Sequence, residues 1–140
     1  MTPYLIVRDG ARAIDFYAAA FGAKELFRLA DKNGKVGHAE LELGDSRFML
    51  ADEFPDFGAL APPSVGGTPV CLHVYVADVD AAFARAVAAG ATELRAVADQ
   101  FYGERRGMLA DPFGHKWSLA TAVRDVSPEE MQKIWSETTA

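Results

Sequence analysis

The polarity pattern of the first 52 residues predicts one helix and four strands. Apolar residues recur at helical spacing through residues 11–21, with Asp9 placed to cap the helix and Gly22 placed to end it. Asn33-Gly34 is a strong hairpin signal. Segments of alternating or continuous apolar character predict strands at 4–7, 25–30, 36–43 and 47–51. The predicted order is βαβββ.

The second half repeats this order about 69 residues later. Val7-Arg8-Asp9 returns as Val76-Ala77-Asp78, and a helix capped by Asp78 or Asp80 ends at Gly90. The matching strands are predicted at 70–76, 93–97, 103–110 and 115–121. We therefore predict an α+β fold in which two tandem βαβββ units form a mixed sheet curled around a cleft. Such a cleft is where a small molecule is expected to bind.

The predicted domain covers residues 1–126, with unit one at 1–52, an irregular loop at 53–68 and unit two at 69–122. Prolines and glycines in the loop predict that it contains no regular element. It is interpreted either as a linker between the units or as an ordered flap that closes the cleft with Phe54 and Phe57.

A C-terminal helix and tail are predicted at 127–140. Ser127-Pro128-Glu129-Glu130 has the pattern of a capping box with proline at the first helical position. Met131, Ile134 and Trp135 form an apolar stripe on this helix. The stripe is expected to pack either on its own domain or on a partner.

Composition narrows the class of protein. Fourteen Lys and Arg against 20 Asp and Glu give a net charge of −6, which disfavours nucleic acid and anionic membranes as partners. No apolar run approaches the ~20 residues of a membrane span. The single Cys71 excludes an internal disulfide and is compatible with the cytoplasmic location that we predict. The chain enters its first strand almost at once, which leaves open a natural start further upstream.

Three features give the chain a family resemblance. They are Ile14-Asp15-Phe16-Tyr17 with Phe21-Gly22, the doubled βαβββ order, and Asp111-Pro112-Phe113-Gly114-His115-Lys116-Trp117. Over about residues 3–122 the chain resembles the glyoxalase/bleomycin-resistance/extradiol-dioxygenase superfamily, also called the vicinal oxygen chelate fold. The resemblance implies one of several activities, since the superfamily contains metal-dependent lyases and isomerases, thiol transferases, ring-cleaving dioxygenases and proteins that sequester antibiotics. It also implies a homodimer.

The resemblance implies where metal ligands would lie. Enzymes of the superfamily hold a divalent metal with His or Glu from the first and last strands of each unit, and those positions here are Thr2, Met49, Cys71 and Ser118. Two neutral hydroxyls, a thioether and one thiol do not make a usual divalent-metal site. The chain is therefore interpreted as a glyoxalase-like member that lacks the metal site. No cofactor is expected, although a divalent metal elsewhere is left open.

Strand alternation indicates which side chains line the cleft. His38, Glu40 and Glu42 lie opposite the apolar set of their strand, and His73 and Tyr75 lie opposite theirs. After Gly103, either Glu104 and Arg106 or Arg105 points inward, and the pattern does not decide between them. No nucleophile–base pair is expected, because Ser118 has no evident histidine partner. The predicted ligand-binding residues are Tyr4, His38, Glu40, Phe54, Phe57, His73, Tyr75, Phe101, Tyr102, Glu104 and Arg106.

Two functions follow from these residues. The first is a protein that binds or sequesters a small aromatic or apolar molecule without a metal. The second is a lyase, isomerase or dioxygenase with a displaced metal or a general base at His38 and His73, assisted by Glu40 or Glu104, since histidine exchanges protons near neutral pH. Each histidine is also compatible with a purely structural hydrogen bond at the sheet surface. Whether the chain is an enzyme, and whether the cleft forms within one chain or across a dimer, stays open from the sequence.

Overall fold

The computed structural model describes residues 1–139, and its first half is a four-stranded sheet with a helix on one face. The elements of unit one are β1 (Tyr4–Val7), α1 (Gly10–Phe21), β2 (Lys24–Ala30), β3 (Val36–Leu43) and β4 (Ser46–Asp52). The strand order is β1-β4-β3-β2, with β1 parallel to β4 and the other pairs antiparallel. Among the described residues, β1 therefore has one unpaired edge.

Unit two repeats this plan. Its elements are β5 (Cys71–Tyr75), α3 (Val79–Ala89), β6 (Thr92–Asp99), β7 (Glu104–Ala110) and β8 (Lys116–Ala122). The order β5-β8-β7-β6 and the parallel β5–β8 pair match unit one. The α+β class and the doubled βαβββ order are confirmed, as two separate four-stranded mixed sheets.

Local sequence signals explain where the helices begin and end. The Asp9 carboxylate accepts a hydrogen bond from the Arg12 N–H, and the Asp78 carboxylate accepts one from the Ala81 N–H, so both residues are N-caps. Asp78 rather than Asp80 caps α3. Gly22 ends α1 with a φ of 70°, a conformation that side-chain-bearing residues rarely adopt.

The two units meet through their helices and a shared aromatic core. α1 packs against α3, and the rings of Tyr17, Phe21, Phe48 and Trp117 contact one another. The buried Asp111 carboxylate fixes this junction, because it accepts hydrogen bonds from the Tyr17 hydroxyl (2.6 Å) and the Trp117 indole N–H (2.9 Å). Each sheet therefore has one face covered by its helix and one open face.

The prediction that residues 53–68 contain no regular element is wrong. A 3₁₀ turn spans Pro55–Phe57 and a short helix, α2, spans Pro62–Val65. Each has proline in its first turn, where a missing N–H costs nothing, and each ends at a glycine of positive φ. The prolines here start elements instead of preventing them.

The C-terminal helix α4 (Pro128–Thr139) begins as the sequence indicates. The Ser127 hydroxyl accepts a hydrogen bond from the Glu130 N–H at 3.1 Å, which is one half of the capping box. Met131 and Ile134 are half-buried, and the Trp135 ring lies 6.2 Å from that of Phe101. None of the helices in residues 1–139 is long and apolar enough to cross a membrane.

Candidate functional site

The open face of unit one holds a hydrogen-bonded chain of three side chains, which we name cluster one: Tyr4, His38 and Glu40. The Tyr4 hydroxyl lies 2.7 Å from His38 Nδ1, and His38 Nε2 lies 3.2 Å from the Glu40 carboxylate. A carboxylate accepts, so Nε2–H donates to Glu40 and Nδ1 accepts from Tyr4. His38 is thereby held as the Nε2–H tautomer, oriented from both sides.

The open face of unit two holds a larger network, cluster two: His73, Tyr75, Glu104, Arg106 and Ser118. The buried Ser118 hydroxyl contacts both the Arg106 Nε–H and His73 Nδ1, the latter at 2.9 Å. Arginine has no acceptor, so the Ser118 oxygen accepts from Arg106 and its O–H donates to His73.

The other side of His73 faces a carboxylate. His73 Nε2 lies 3.6 Å from one oxygen of Glu104, and the other oxygen accepts the Tyr75 hydroxyl at 2.6 Å. The hydrogen bond and the negative charge of Glu104 raise the pKa of Tyr75, so its phenol stays protonated.

The structure resolves which side chains of β7 share the open face. Glu104 and Arg106 lie on it, whereas Arg105 points to the helix side, where it binds Asp80 at 2.9 Å and Asp99 at 3.2 Å. These two carboxylates raise the pKa of Arg105. The Tyr102 hydroxyl joins cluster two from the preceding turn, 3.4 Å from Arg106.

The expectation for Ser118 is wrong, because His73 is its partner. The two residues are far apart in the chain but directly opposite in the parallel β5–β8 pair. The equivalent positions of unit one, Tyr4 and Met49, also pair. The internal repeat relates these two pairs to each other but does not give the strand register of either. Ser118 is fully buried and already donates to His73, which makes it an orienting group and not an exposed nucleophile.

Other predicted site residues are dispersed. Within the described chain, His38 and His73 belong to separate clusters on separate sheets. Phe54 packs under the Lys35 ammonium, 3.9 Å from its ring centroid, and Phe57 is 84% exposed. Phe101 lies against Trp135. Within residues 1–139, the rings of Phe54 and Phe57 lie 6.0 Å apart and Phe54 also contacts Lys35, so these ring contacts involve neither cluster one nor cluster two.

The four superfamily metal positions do not fit a divalent metal. Thr2 precedes β1 and is exposed, Met49 offers a thioether, and the Ser118 oxygen is engaged by Arg106 and His73. Cys71 is a lone thiol. Across residues 1–139, no three His, Cys, Asp or Glu side chains come together as a metal-binding group.

A groove of about 1080 Å³ runs along the free edge of β5. It lies between residues 71–77 and the β3–β4 turn at 43–48, with Phe21 and Trp117 also in its wall. Among residues 1–139, β5 pairs with β8 on one side and has no strand on the other, and its residues line this groove. The groove adjoins cluster two through His73 and Tyr75 but does not include Arg106.

Comparison with known proteins gives a consistent result. The model of the Glyoxalase/Bleomycin resistance protein/Dioxygenase superfamily matches residues 2–119. An uncharacterized protein of Mycobacterium tuberculosis (strain H37Rv) is 48% identical, covering 97% of this chain and 82% of that protein. The crystal structure of TioX from Micromonospora sp. ML1 is similar with a TM-score of 0.69 and 28% identity, over 91% of this chain and 98% of that one.

A plant protein extends this similarity. The X-ray structure of an Arabidopsis thaliana gene product superposes with a TM-score of 0.70 and 30% identity, covering 86% of this chain and 96% of the other.

Proposed function

This chain belongs to the glyoxalase/bleomycin resistance protein/dioxygenase superfamily, and on that premise we propose that it binds or sequesters a small aromatic or apolar molecule without the superfamily's metal site. The proposed ligand lies on the open faces of the sheets, against cluster one and cluster two. Proteins bind such molecules with aromatic walls and a few fixed polar groups.

The observation that supports this proposal is the composition of cluster two. Tyr75 is 63% exposed, yet its hydroxyl is fixed by Glu104 and its ring stands edge-on to His73 at 4.9 Å. An exposed aromatic ring held in place by a hydrogen-bonded network is prepared to stack on a ligand, because little side-chain entropy remains to be lost.

A screen of aromatic compounds by thermal shift tests the proposal. Binders are expected to raise the unfolding temperature of the protein, and Tyr75→Ser is expected to abolish that rise. Phe57→Ser is the control, since Phe57 is also an exposed ring, at 84%, and belongs to neither cluster. A rise that persists in Tyr75→Ser, or a screen without any binder, contradicts the proposed binding.

Metal analysis tests the metal-independent part. The protein, purified without chelator, is expected to contain no stoichiometric zinc, nickel, manganese or iron. A stoichiometric metal that is lost in His38→Ala would contradict the proposal that binding is independent of metal.

We also propose that a second copy of the chain completes the cleft. In the part of the chain that the structure describes, β1 and β5 each have one unpaired edge, and a groove lies along β5. An open edge is a ready site for another strand, and Tyr4 and Tyr75 are exposed beside these edges. In such a homodimer, unit one of one copy covers unit two of the other. A monomer mass that stays constant with concentration in analytical ultracentrifugation contradicts it.

A cytoplasmic location is part of the proposal. Cys71 is a free, half-buried thiol, as is common in a reducing compartment.

The hydrogen-bonded chain of cluster one favours a second function, proton transfer in a lyase, isomerase or oxygenase reaction. Glu40 orients the imidazole of His38, and His38 Nδ1 accepts from the Tyr4 phenol, so His38 would take a substrate proton by way of the Tyr4 hydroxyl. Hydrogen–deuterium exchange beside the carbonyl of α-hydroxy ketones, followed by NMR, tests it. Exchange that is absent, or unchanged in His38→Gln, contradicts the enzymatic function.

A further inference from the structure

We infer that Arg106 binds a negatively charged oxygen group of the ligand, a carboxylate or a phosphoryl group. The inference rests on the proposed function, and it narrows the ligand to an aromatic or apolar molecule with an acidic group. Arg106 is half-buried on the open face, and its guanidinium contacts three neutral partners. These are the Ser118 hydroxyl, the Tyr102 hydroxyl at 3.4 Å and the Met108 sulfur at 3.4 Å.

Arg106 has no counter-ion among the described residues. Arg105 and Arg106 are the two half-buried arginines among the described residues, whereas the others are exposed. Arg105 binds the carboxylates of Asp80 and Asp99, so of these two it is Arg106 that is left without a counter-ion. The nearby Glu104 carboxylate is directed instead to Tyr75 and His73. A half-buried cation without a counter-ion is unfavourable, and an anionic ligand relieves that cost.

The guanidinium also retains hydrogen-bonding capacity. Arginine has five N–H donors. One donor, on Nε, is used by Ser118, and each terminal nitrogen donates once, to Tyr102 or to Met108. Each terminal nitrogen therefore keeps one N–H, and the two oxygens of a carboxylate or phosphoryl group can accept both.

Ser118 fixes the position of this cation. It is fully buried between Arg106 and His73, so the guanidinium is oriented before any ligand arrives.

The groups around Arg106 suit an aromatic acid. Tyr102 contacts the guanidinium, and the exposed Tyr75 ring belongs to the same cluster. An acidic group on Arg106 would leave the body of the ligand against these rings, where stacking adds to the charge-assisted hydrogen bonds.

Three probes that share one ring system test the inference. Naphthalene-2-carboxylate, naphthalen-2-yl phosphate and the neutral naphthalene-2-carboxamide are titrated into the full chain by calorimetry. At least one anionic probe is expected to bind on the order of tenfold more tightly than the amide, as a charge-assisted hydrogen bond implies. The preferred anion then identifies a carboxylate or a phosphoryl group.

Variants distinguish specific binding of the anion by Arg106 from nonspecific electrostatic attraction to the protein. Arg106→Gln is expected to reduce the acid-to-amide ratio to about one, whereas Arg105→Gln, on the opposite face, is expected to leave it unchanged. Arg106→Met serves as a second variant if Arg106→Gln does not fold. Equal binding of acid and amide, or an anion preference that survives both Arg106 variants, overturns the inference and leaves the proposed function intact. If no probe binds, the inference and the proposed binding of aromatic molecules are both contradicted.

Discussion

In unit one and unit two, different side chains bind the first backbone N–H of the helix. Gly10 begins α1 and Val79 begins α3, and each N–H donates to a side chain at the end of its sheet. The acceptor is the Asp52 carboxylate at 2.8 Å in unit one and the Thr121 hydroxyl at 3.0 Å in unit two. The repeat has kept the hydrogen bond and changed the chemistry of the acceptor.

The open faces differ much more. Strand register makes His38 equivalent to Arg106, and Glu40 equivalent to Met108. Unit one therefore has a histidine–carboxylate pair on its open face where unit two has the Arg106 guanidinium beside the Met108 thioether. The helix-covered faces must still pack into one core, whereas the open faces are free of that constraint. The larger differences in polar side chains between the units therefore lie on their open faces.

The largest effect is expected where the units are joined. Asp111 has no counterpart in the short β3–β4 turn, and its carboxylate accepts four hydrogen bonds, from Tyr17, Phe113, His115 and Trp117. Asp111→Ala leaves buried donors without partners and is expected to lower the free energy of unfolding by about 4 kcal/mol. Urea denaturation measures it.

Asp111→Asn is the graded control. Its single carbonyl oxygen can replace one carboxylate oxygen only, so about half of that loss is expected. A loss below about 1 kcal/mol for Asp111→Ala would contradict the role assigned to this junction.

The next largest loss of stability is expected from the side chains that accept the first N–H of α1 and α3, Asp52 and Thr121. Asp52 is buried and also accepts the Val36 N–H at 2.7 Å, so Asp52→Ala is expected to cost about 3 kcal/mol. The half-buried Thr121 hydroxyl accepts the Val79 N–H and donates to the Val76 carbonyl at 2.8 Å. These are hydrogen bonds of a neutral, partly exposed group, so Thr121→Ala is expected to cost less, about 1.5 kcal/mol. Equal losses in urea denaturation would show that the two acceptors are energetically alike.

A third difference lies in the cores. At equivalent positions unit one has Ile14 and Ala39, and unit two has Phe83 and Gly107. A Cβ on Gly107 would lie 2.8 Å from both Phe83 and Val97. Gly107→Ala is therefore expected to destabilise by about 2 kcal/mol through overpacking.

Restoring the pair of unit one should relieve this strain. The double variant Gly107→Ala with Phe83→Ile is expected to be more stable than the sum of its single variants predicts. Additive losses in a double-mutant cycle, measured by urea denaturation, would mean that Phe83 is not what requires the glycine.

Sequence periodicity predicted the elements of both units because it reports local properties. The caps Asp9 and Asp78, and the burial of Ala39 and Leu41 opposite His38, follow directly from helical spacing and strand alternation. The superfamily was also recognisable from short motifs and is confirmed.

The remaining features depend on contacts between distant segments. The Ser118–His73 pair requires the register of a parallel strand pair, which alternation alone does not give. The orientation of Arg106 depends on where β7 begins after Gly103, a turn that resets the alternation. The irregular 53–68 segment hid two short helical elements because proline both prevents and begins helices.

Alkaline pH offers a weaker test of the junction between the units. Burial, and then the neighbouring Asp111, raise the pKa of Tyr17 well above its usual value. Above about pH 10 the unfolded chain loses this proton while the folded chain keeps it, so the free energy of unfolding falls as pH rises. Tyr17→Phe is expected to flatten this decline relative to the unchanged chain. If urea denaturation shows that the free energies of unfolding of Tyr17→Phe and of the unchanged chain fall in parallel above about pH 10, the raised pKa of Tyr17 is contradicted.

The smallest expected effect is a change in ligand affinity at the open face of unit two, which distinguishes it from the open face of unit one. Glu104 places a negative charge on the same face as Arg106, two residues away on β7. Glu104→Gln removes that charge, so naphthalene-2-carboxylate or naphthalen-2-yl phosphate is expected to bind about threefold more tightly, a modest change because the site is partly exposed to solvent. Glu93→Gln, an exposed residue of β6, is the control and should change affinity little. Weaker binding in Glu104→Gln would contradict this expectation. It would mean that the orientation of Tyr75 and His73 by Glu104 contributes more to affinity than the repulsion between Glu104 and the ligand costs.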